Sequence, residues 1–219
     1  MSFKKNKYMN EAQIFPLFSK PIYFNKINYD IKKIYPELKK IKWVKTHLDQ
    51  GVKFTSSSTN KFILNKKPYK QLKINIEQHF NNYVSNLLEF DQRFKISTSW
   101  LTKSLKNEIC IYHNHNNCMY SGVLYLKTPK NKATISFENV ETKRFKLIPR
   151  KYNLFNYSEF FINTVPGDIV IFPSELFHKI NTNTTNEKRI SLAFNFSPVG
   201  KIGSKDSYLN INIKEKNVV

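Results

Sequence analysis

The longest periodic segment of the chain runs from Pro68 to Phe90, where Tyr69, Leu72, Ile76, Phe80, Tyr83, Leu87 and Phe90 recur at steps of three and four. That spacing gathers the apolar side chains on one stripe of an α-helix, and Pro68 stands where proline opens one. Upstream, 14–24 has the Phe and Ile content of a strand, but Pro16 and Pro21 confine it to an edge. Segment 30–41 alternates lysine with apolar residues at mixed spacing around Pro36, which predicts at best a short, broken helix. Ser56 to Thr59 reads as a loop by composition.

From Ile96 onward the texture changes to short runs of Ile, Val, Phe and Tyr separated by polar turns. Strands are predicted at 96–101, 108–113, 121–127, 133–137, 160–164, 168–173 and 189–196. So many closely spaced strands argue a mainly β fold, a sandwich or jelly roll with the long helix packed outside it. Segment 141–158 lacks such a pattern; it is long, aromatic and basic, and a loop of that length between core strands is expected to be functional, here as a substrate lid.

At 219 residues the chain needs no second domain. The expected organisation is a single domain over 1–219, with an N-terminal strand and helices at 11–95, a β core at 96–198 and a C-terminal tail at 199–219. An apolar fraction of 40% and an aromatic fraction of 15% exclude a disordered chain. The net charge of +20 would ordinarily point to nucleic acid or an anionic membrane. Only Arg93, Arg144, Arg150 and Arg189 of the 36 basic residues are arginine, however, whereas nucleic-acid readers lean on the arginine fork. Lysine spread along an Asn- and Ile-rich chain reads as AT-rich codon usage and a solvated surface. Two cysteines, Cys110 and Cys118, are too few for a disulfide scaffold. With no stretch that reads as a signal peptide or a membrane span, a cytoplasmic protein is expected.

Among the five histidines, His113 and His115 stand two residues apart in a predicted strand end, a step that returns both imidazoles to one face. His178 follows a turn, a buried strand and a polar corner. Together the three are candidate metal ligands. His47 and His79 have no partner at ligand spacing and read as surface or helix-flank residues. Eleven residues after His178, Arg189 opens another strand, with Ser191 on the same face. A buried guanidinium beside a hydroxyl suits capture of a terminal carboxylate through parallel charge-assisted hydrogen bonds. Asp168, in a Pro-Gly-Asp turn, reads as a turn residue rather than a metal ligand.

The sequence of these pieces, His113-Asn-His115, Ser121-Gly-Val-Leu-Tyr-Leu126, Pro166-Gly-Asp-Ile-Val-Ile-Phe-Pro-Ser174 before His178, Arg189-Ile-Ser191 and Phe194-Asn195, resembles a 2-oxoglutarate/Fe(II) oxygenase family seen in bacteria and marine phages. Leu17 to Ile22 and Ser99-Trp100 share in the likeness. The resemblance implies a double-stranded β-helix, cupin-like in its jelly roll, and an enzyme using Fe(II), 2-oxoglutarate and O2. It implies iron on His113, His115 and His178, and the distal carboxylate of 2-oxoglutarate on Arg189 and Ser191. Tyr125 would add a hydrogen bond to the cosubstrate, and Asn195 would line its pocket. The expected reaction is hydroxylation of an unidentified substrate, with 2-oxoglutarate decarboxylated to succinate.

Most of the wider superfamily place Asp or Glu where His115 stands. Either His115 is the third ligand, or two histidines hold the metal with water in the third position. Two other readings stand beside the oxygenase: a cupin-like metal-dependent dioxygenase without 2-oxoglutarate, and a non-catalytic metal-binding jelly-roll module. Neither uses the Arg189 and Ser191 pair. The substrate could be a protein side chain, a small molecule or, less readily, nucleic acid; no membrane partner is expected, and the oligomeric state is not legible.

Overall fold

Side-chain alternation along Arg189–Pro198 generates the layers of the molecule. Ile190, Leu192, Phe194 and Phe196 belong to a core shared with the helices, whereas Ala193, with Asn195 beside it in alternation, turns to the opposite face. A computed structural model describes residues 15–48, 51–129, 133–140 and 147–213. Its strands are β1 (Tyr23–Lys26), β2 (Trp43–Lys45), β3 (Ser56–Ser58), β4 (Phe94–Ser104), β5 (Tyr120–Lys127), β6 (Ala133–Glu138), β7 (Glu159–Thr164), β8 (Asp168–Pro173), β9 (Phe177–Ile180), β10 (Arg189–Pro198), β11 (Gly200–Ile202) and β12 (Leu209–Ile211). The helices are α1 (Tyr35–Leu38) and α2 (Lys70–Asn81).

Seven strands form the large sheet in the order β1-β8-β5-β10-β4-β3-β2, and β7-β6-β9 form a smaller antiparallel sheet. Val123, Tyr125, Val170, Phe172 and Ala193 from the first meet Ile135 and Phe137 from the second. Leu72, Ile76 and Phe80 of α2 cover the other face, joining Leu124, Leu126, Ile169, Ile171 and Leu192 in one core. Phe80 stacks on Phe196 with centroids 3.7 Å apart. Burying each such side chain contributes roughly 1.5–3 kcal/mol, so the helix fixes the sheet that carries Arg189. This is the expected mainly β, double-stranded β-helix architecture with flanking helices.

The edge position of β1 and the broken helix over 31–38 follow the sequence reading. Four expectations need correction. Ser56–Ser58 is a buried strand rather than a loop, because hydrogen bonds absorb its polar groups: Leu101 N donates to Ser58 Oγ at 3.0 Å, and Lys61 Nζ to Ser57 Oγ at 2.8 Å. The long helix stops being α-helical at Asn81 and continues as a π turn over Asn82–Leu87. The wider turn rotates the stripe outward, leaving Leu87 and Phe90 exposed. Segment 108–113 makes isolated bridges at Ile109 and His113 instead of a strand. Finally, the expected corner at 174–176 leads into a further strand, β9, that carries His178, and the expected tail holds a β11–β12 hairpin.

Residues 141–146 of the expected lid lie outside the described residues; 147–158 are largely exposed and carry neither helix nor strand. No helix among the described residues is long and apolar enough to cross a membrane.

Candidate metal and carboxylate site

β9 sets His178 opposite Phe137 of β6, and the chain from 111 to 115 runs beside it. His113 N donates to His178 O at 3.0 Å, His178 N donates to His113 O at 2.9 Å, and His115 N donates to Ser174 O at 3.0 Å. The backbone, rather than loop packing, thus aligns all three histidines.

Each imidazole is then fixed through Nδ1. His113 Nδ1 donates to Ile111 O and His178 Nδ1 to Leu176 O, both at 2.9 Å. His115 Nδ1 donates to Asn195 Oδ1 at 2.8 Å. An acceptor at Nδ1 holds the proton there and leaves the Nε2 lone pair free, the tautomer a metal requires. The ligand atoms of the three lie within 4.8 Å of one another, and ring centroids are 4.5–5.2 Å apart. Metal–nitrogen bonds of about 2.1 Å would draw the nitrogens modestly inward. Burial, with the neighbouring His113, pushes His178 down to a pKa of about 3, and burial lowers His115 as well. Burial acts to lower His113 too, but its hydrogen bond to Cys110 carries it upward. Two of the three rings are therefore neutral, ligand-ready bases at neutral pH. The donor set contains no carboxylate among the described residues. Asp168 instead closes its turn, accepting from Val165 N at 2.8 Å and facing Lys26 Nζ at 3.6 Å.

The histidines open into a cavity of about 310 Å³ that Trp100, Thr102, Cys110 and Ser191 also line. His47 reaches its rim from the β2–β3 connection, packed on Phe54 with centroids 4.9 Å apart. His47 is exposed, as expected, yet its place at the mouth carries no signal in sequence spacing. Cys110 and Cys118 are free thiols.

Next to the cavity, β10 and β5 pair Ser191 with Tyr125. Arg189 is 2% exposed, and among the described residues its guanidinium donates from Nη1 to Asn181 O at 2.6 Å. No ion pair engages it among the described residues. Burial lowers its pKa, opposed by Tyr125 and Cys110. Tyr125 is fully buried, and its hydroxyl makes no hydrogen bond of full geometry among the described residues, although burial raises its pKa and Thr164 is near enough to oppose that shift. A buried unpaired hydroxyl costs roughly 1–3 kcal/mol, and an uncompensated buried cation more. Both deficits are relieved by one ligand with a carboxylate, so the residues present fit the anionic cosubstrate as well as the metal.

Asn195, expected to line the cosubstrate pocket, is hydrogen-bonded to a histidine. Its Oδ1 takes hydrogen bonds from His115 and from Ser121 Oγ at 2.9 Å, and its Nδ2 donates to Thr98 Oγ1 at 3.0 Å. The amide holds the His115 ring; like Arg189 and Tyr125, Asn195 lies behind the residues that line the cavity itself.

Residues 98–195 match a family model described as "Putative 2OG-Fe(II) oxygenase". Among solved structures, HygX from Streptomyces hygroscopicus, determined with nickel, 2-oxoglutarate and hygromycin B bound, aligns with a TM-score of 0.57 at 12% identity, covering 82% of this chain and 83% of that one. A Pseudomonas putida prolyl-4-hydroxylase aligns at 0.55 and 12% identity, covering 82% and 94%. The non-haem α-ketoglutarate-dependent epimerase SnoN of nogalamycin biosynthesis aligns at 0.60 and 9% identity, covering 83% and 80%. At such identities the likeness establishes the fold. No curated protein matches the chain.

Proposed function

We propose that this chain, whose residues 98–195 match the 2OG-Fe(II) oxygenase family model, is an oxygenase of that kind and hydroxylates its substrate with iron held by Nε2 of His113, His115 and His178 and the distal carboxylate of 2-oxoglutarate held by Arg189, Ser191 and Tyr125. The observation that carries the reading is the buried Arg189 guanidinium without an anionic partner among the described residues, beside the buried Tyr125 hydroxyl and within the same layer as the three imidazoles. A structural zinc module or a cupin-type site without 2-oxoglutarate leaves that cation unexplained.

Fe(II) and 2-oxoglutarate supply, with O2, the oxidising power of the reaction: cosubstrate ends as succinate and CO2, and one oxygen atom enters the substrate. The protein's own residues bind and orient. Arg189 supplies a planar donor fork to the carboxylate, and Ser191 and Tyr125 supply single O–H donors from facing positions of β10 and β5. Fixing the three Nδ1 protons keeps every ring at the angle a common metal needs. Phe172, Phe137 and Trp100 crowd the rings with apolar surface and keep water from that side. The neutral ligand set leaves the centre more positive than a carboxylate-bearing one, which favours a dianionic cosubstrate.

We read 1–219 as one domain, because the N-terminal strand and helices share a core with the sheet that bears the site. Two free thiols, one at the cavity, suit a reducing compartment, and we place the enzyme in the cytoplasm.

Anaerobic addition of Fe(II) and then 2-oxoglutarate is expected to give a visible metal-to-ligand charge-transfer band, and succinate on admission of air. Arg189→Ala should lose the band at 2-oxoglutarate concentrations that saturate the wild type. Absence of both band and succinate in the wild-type protein overturns the assignment; a band that survives Arg189→Ala overturns the role of the arginine.

A further inference from the structure

The face of the large sheet opposite the histidines carries a second concavity. Along β4, Thr102 lines the histidine cavity while Lys103 turns to the other side; along β10, Ser191 and Ile190 divide in the same way. On that far face α1, the turn before it and β2 enclose a pocket of about 590 Å³ against the sheet. Lys32, Lys39, Lys103, Lys127 and Lys188 line it, and no acidic residue does. Its aromatic walls are held in place: Tyr35 Oη donates to Leu126 O at 2.8 Å, and Trp43 packs against the core. Lys103 Nζ lies 4.7 Å from the Trp43 centroid and Lys127 Nζ 4.4 Å from that of Tyr35, so two ammonium groups rest on rings rather than on carboxylates.

A lysine-rich chain places lysine on every surface, so convergence must be weighed against scatter. Elsewhere lysines find acids, as Lys26 does with Asp168, Lys40 with Glu37 and Lys45 with Glu108. None of the five makes an ion pair among the described residues. Burial lowers the pKa of Lys103; Glu108 opposes this, and Lys188 and Lys45 add to the lowering. Five like charges around one hollow repel one another, and that repulsion is relieved by a ligand carrying several negative charges in a small volume. The pocket lies in the size range of small-molecule sites rather than of extended interfaces. Its donors are lysine point charges, which suit tetrahedral phosphate, whereas planar carboxylates favour the arginine fork found at Arg189.

We propose that this pocket binds a compact polyphosphate, such as a nucleoside triphosphate, with its phosphates among Lys103, Lys127 and Lys188 on the sheet and Lys32 and Lys39 on the helical side. Full-length metal-free protein titrated calorimetrically with ATP, with inorganic tripolyphosphate and with a short oligothymidylate near physiological salt tests the idea apart from any oxygenase chemistry. ATP and tripolyphosphate are expected to bind. Lys32→Gln combined with Lys188→Gln, both at exposed positions, should weaken them about tenfold or more without lowering the melting temperature, and Lys103→Gln should do so alone. Lys53→Gln with Lys201→Gln removes the same charge outside the pocket and should leave binding intact. Absence of ATP and tripolyphosphate binding, or equal weakening by the two double variants, overturns the proposal. Tighter, lysine-sensitive binding of the oligonucleotide also overturns it, in favour of a nucleic-acid strand.

Discussion

His113 and His178 exchange both of their backbone hydrogen bonds, at 3.0 and 2.9 Å, which holds their ring centroids 4.5 Å apart. Two of the proposed ligand positions are thus set by the same ladder geometry that builds the small sheet. A preformed site binds the folded state alone, so metal should stabilise the fold. Anaerobic Fe(II) or Ni(II) at a hundredfold excess over its Kd is expected to add about 2.7 kcal/mol, read as a rise in Tm. A chelator should reverse it and His178→Ala should abolish it; a Tm indifferent to metal in the wild type would contradict the site.

Asn195 holds the ring of His115, one of the three proposed metal ligands. Asn195→Ala removes the acceptor that keeps the proton on His115 Nδ1, and metal affinity should fall roughly 10–100-fold. Asn195→Asp keeps an acceptor and should recover most of the loss. If affinity is unchanged in the alanine variant, His115 does not depend on Asn195, or is not a ligand.

Tyr125→Phe should act in opposite senses on stability and on cosubstrate binding. The hydroxyl is buried and makes no hydrogen bond of full geometry among the described residues, so its removal leaves the unliganded protein equally or more stable in denaturant unfolding. Loss of one hydrogen bond to 2-oxoglutarate should weaken its binding by about 0.5–1.5 kcal/mol, a few-fold to about tenfold. A destabilised variant with unaltered cosubstrate binding would assign Tyr125 to packing.

Gly122 is required by close approach. A Cβ there would sit 2.3 Å from Phe194 Cε2 and 3.0 Å from Val170 O, both in the packed middle of the large sheet. Gly122→Ala should therefore cost about 1–3 kcal/mol by overpacking. Phe194→Leu, placed in the same chain, should return part of it; an additive double variant would show that the ring is not what the new methyl meets.

Stability should also depend on pH through His79. Tyr23 Oη, which accepts from Asn25 Nδ2 at 3.0 Å, lies 2.8 Å from His79 Nδ1 in a half-buried setting. Burial lowers the His79 pKa below the ordinary 6.5. The unfolded chain then binds the proton first as pH falls: stability is full above about 6.5 and declines toward the lower folded value. Chemical denaturation across pH 7.5 to 5 should show this slope, and His79→Gln should make it shallower, with His115 and His178, whose pKa values burial also lowers, supplying the remainder.

Local pattern carried much of this molecule. Strands β4, β5, β6, β7, β8 and β10 announced themselves through β-branched and aromatic runs, because strands buried on one or both faces must be written in such residues. His113, His115, His178, Arg189 and Ser191 stood out because ligand and carboxylate chemistry restricts residue type and spacing. β3 was invisible, since three consecutive serines form a strand only when Lys61 and Leu101, brought by the fold, take up their hydroxyls. Segment 108–113 failed in the other direction: its pattern suits a strand, but only Ile109 and His113 find partners to bridge.

The sequence by itself determined the fold class, the metal ligand candidates and the strand proposed to bind the carboxylate, because each depends on residue type at short, fixed spacing. Tertiary structure alone decided that Asn195 grips His115, that the Tyr125 hydroxyl makes no hydrogen bond among the described residues, that His47 reaches the cavity, and that five scattered lysines share one pocket. Those relationships join residues up to 156 positions apart, from Lys32 to Lys188, and no local spacing rule encodes which side chains a folded sheet brings face to face.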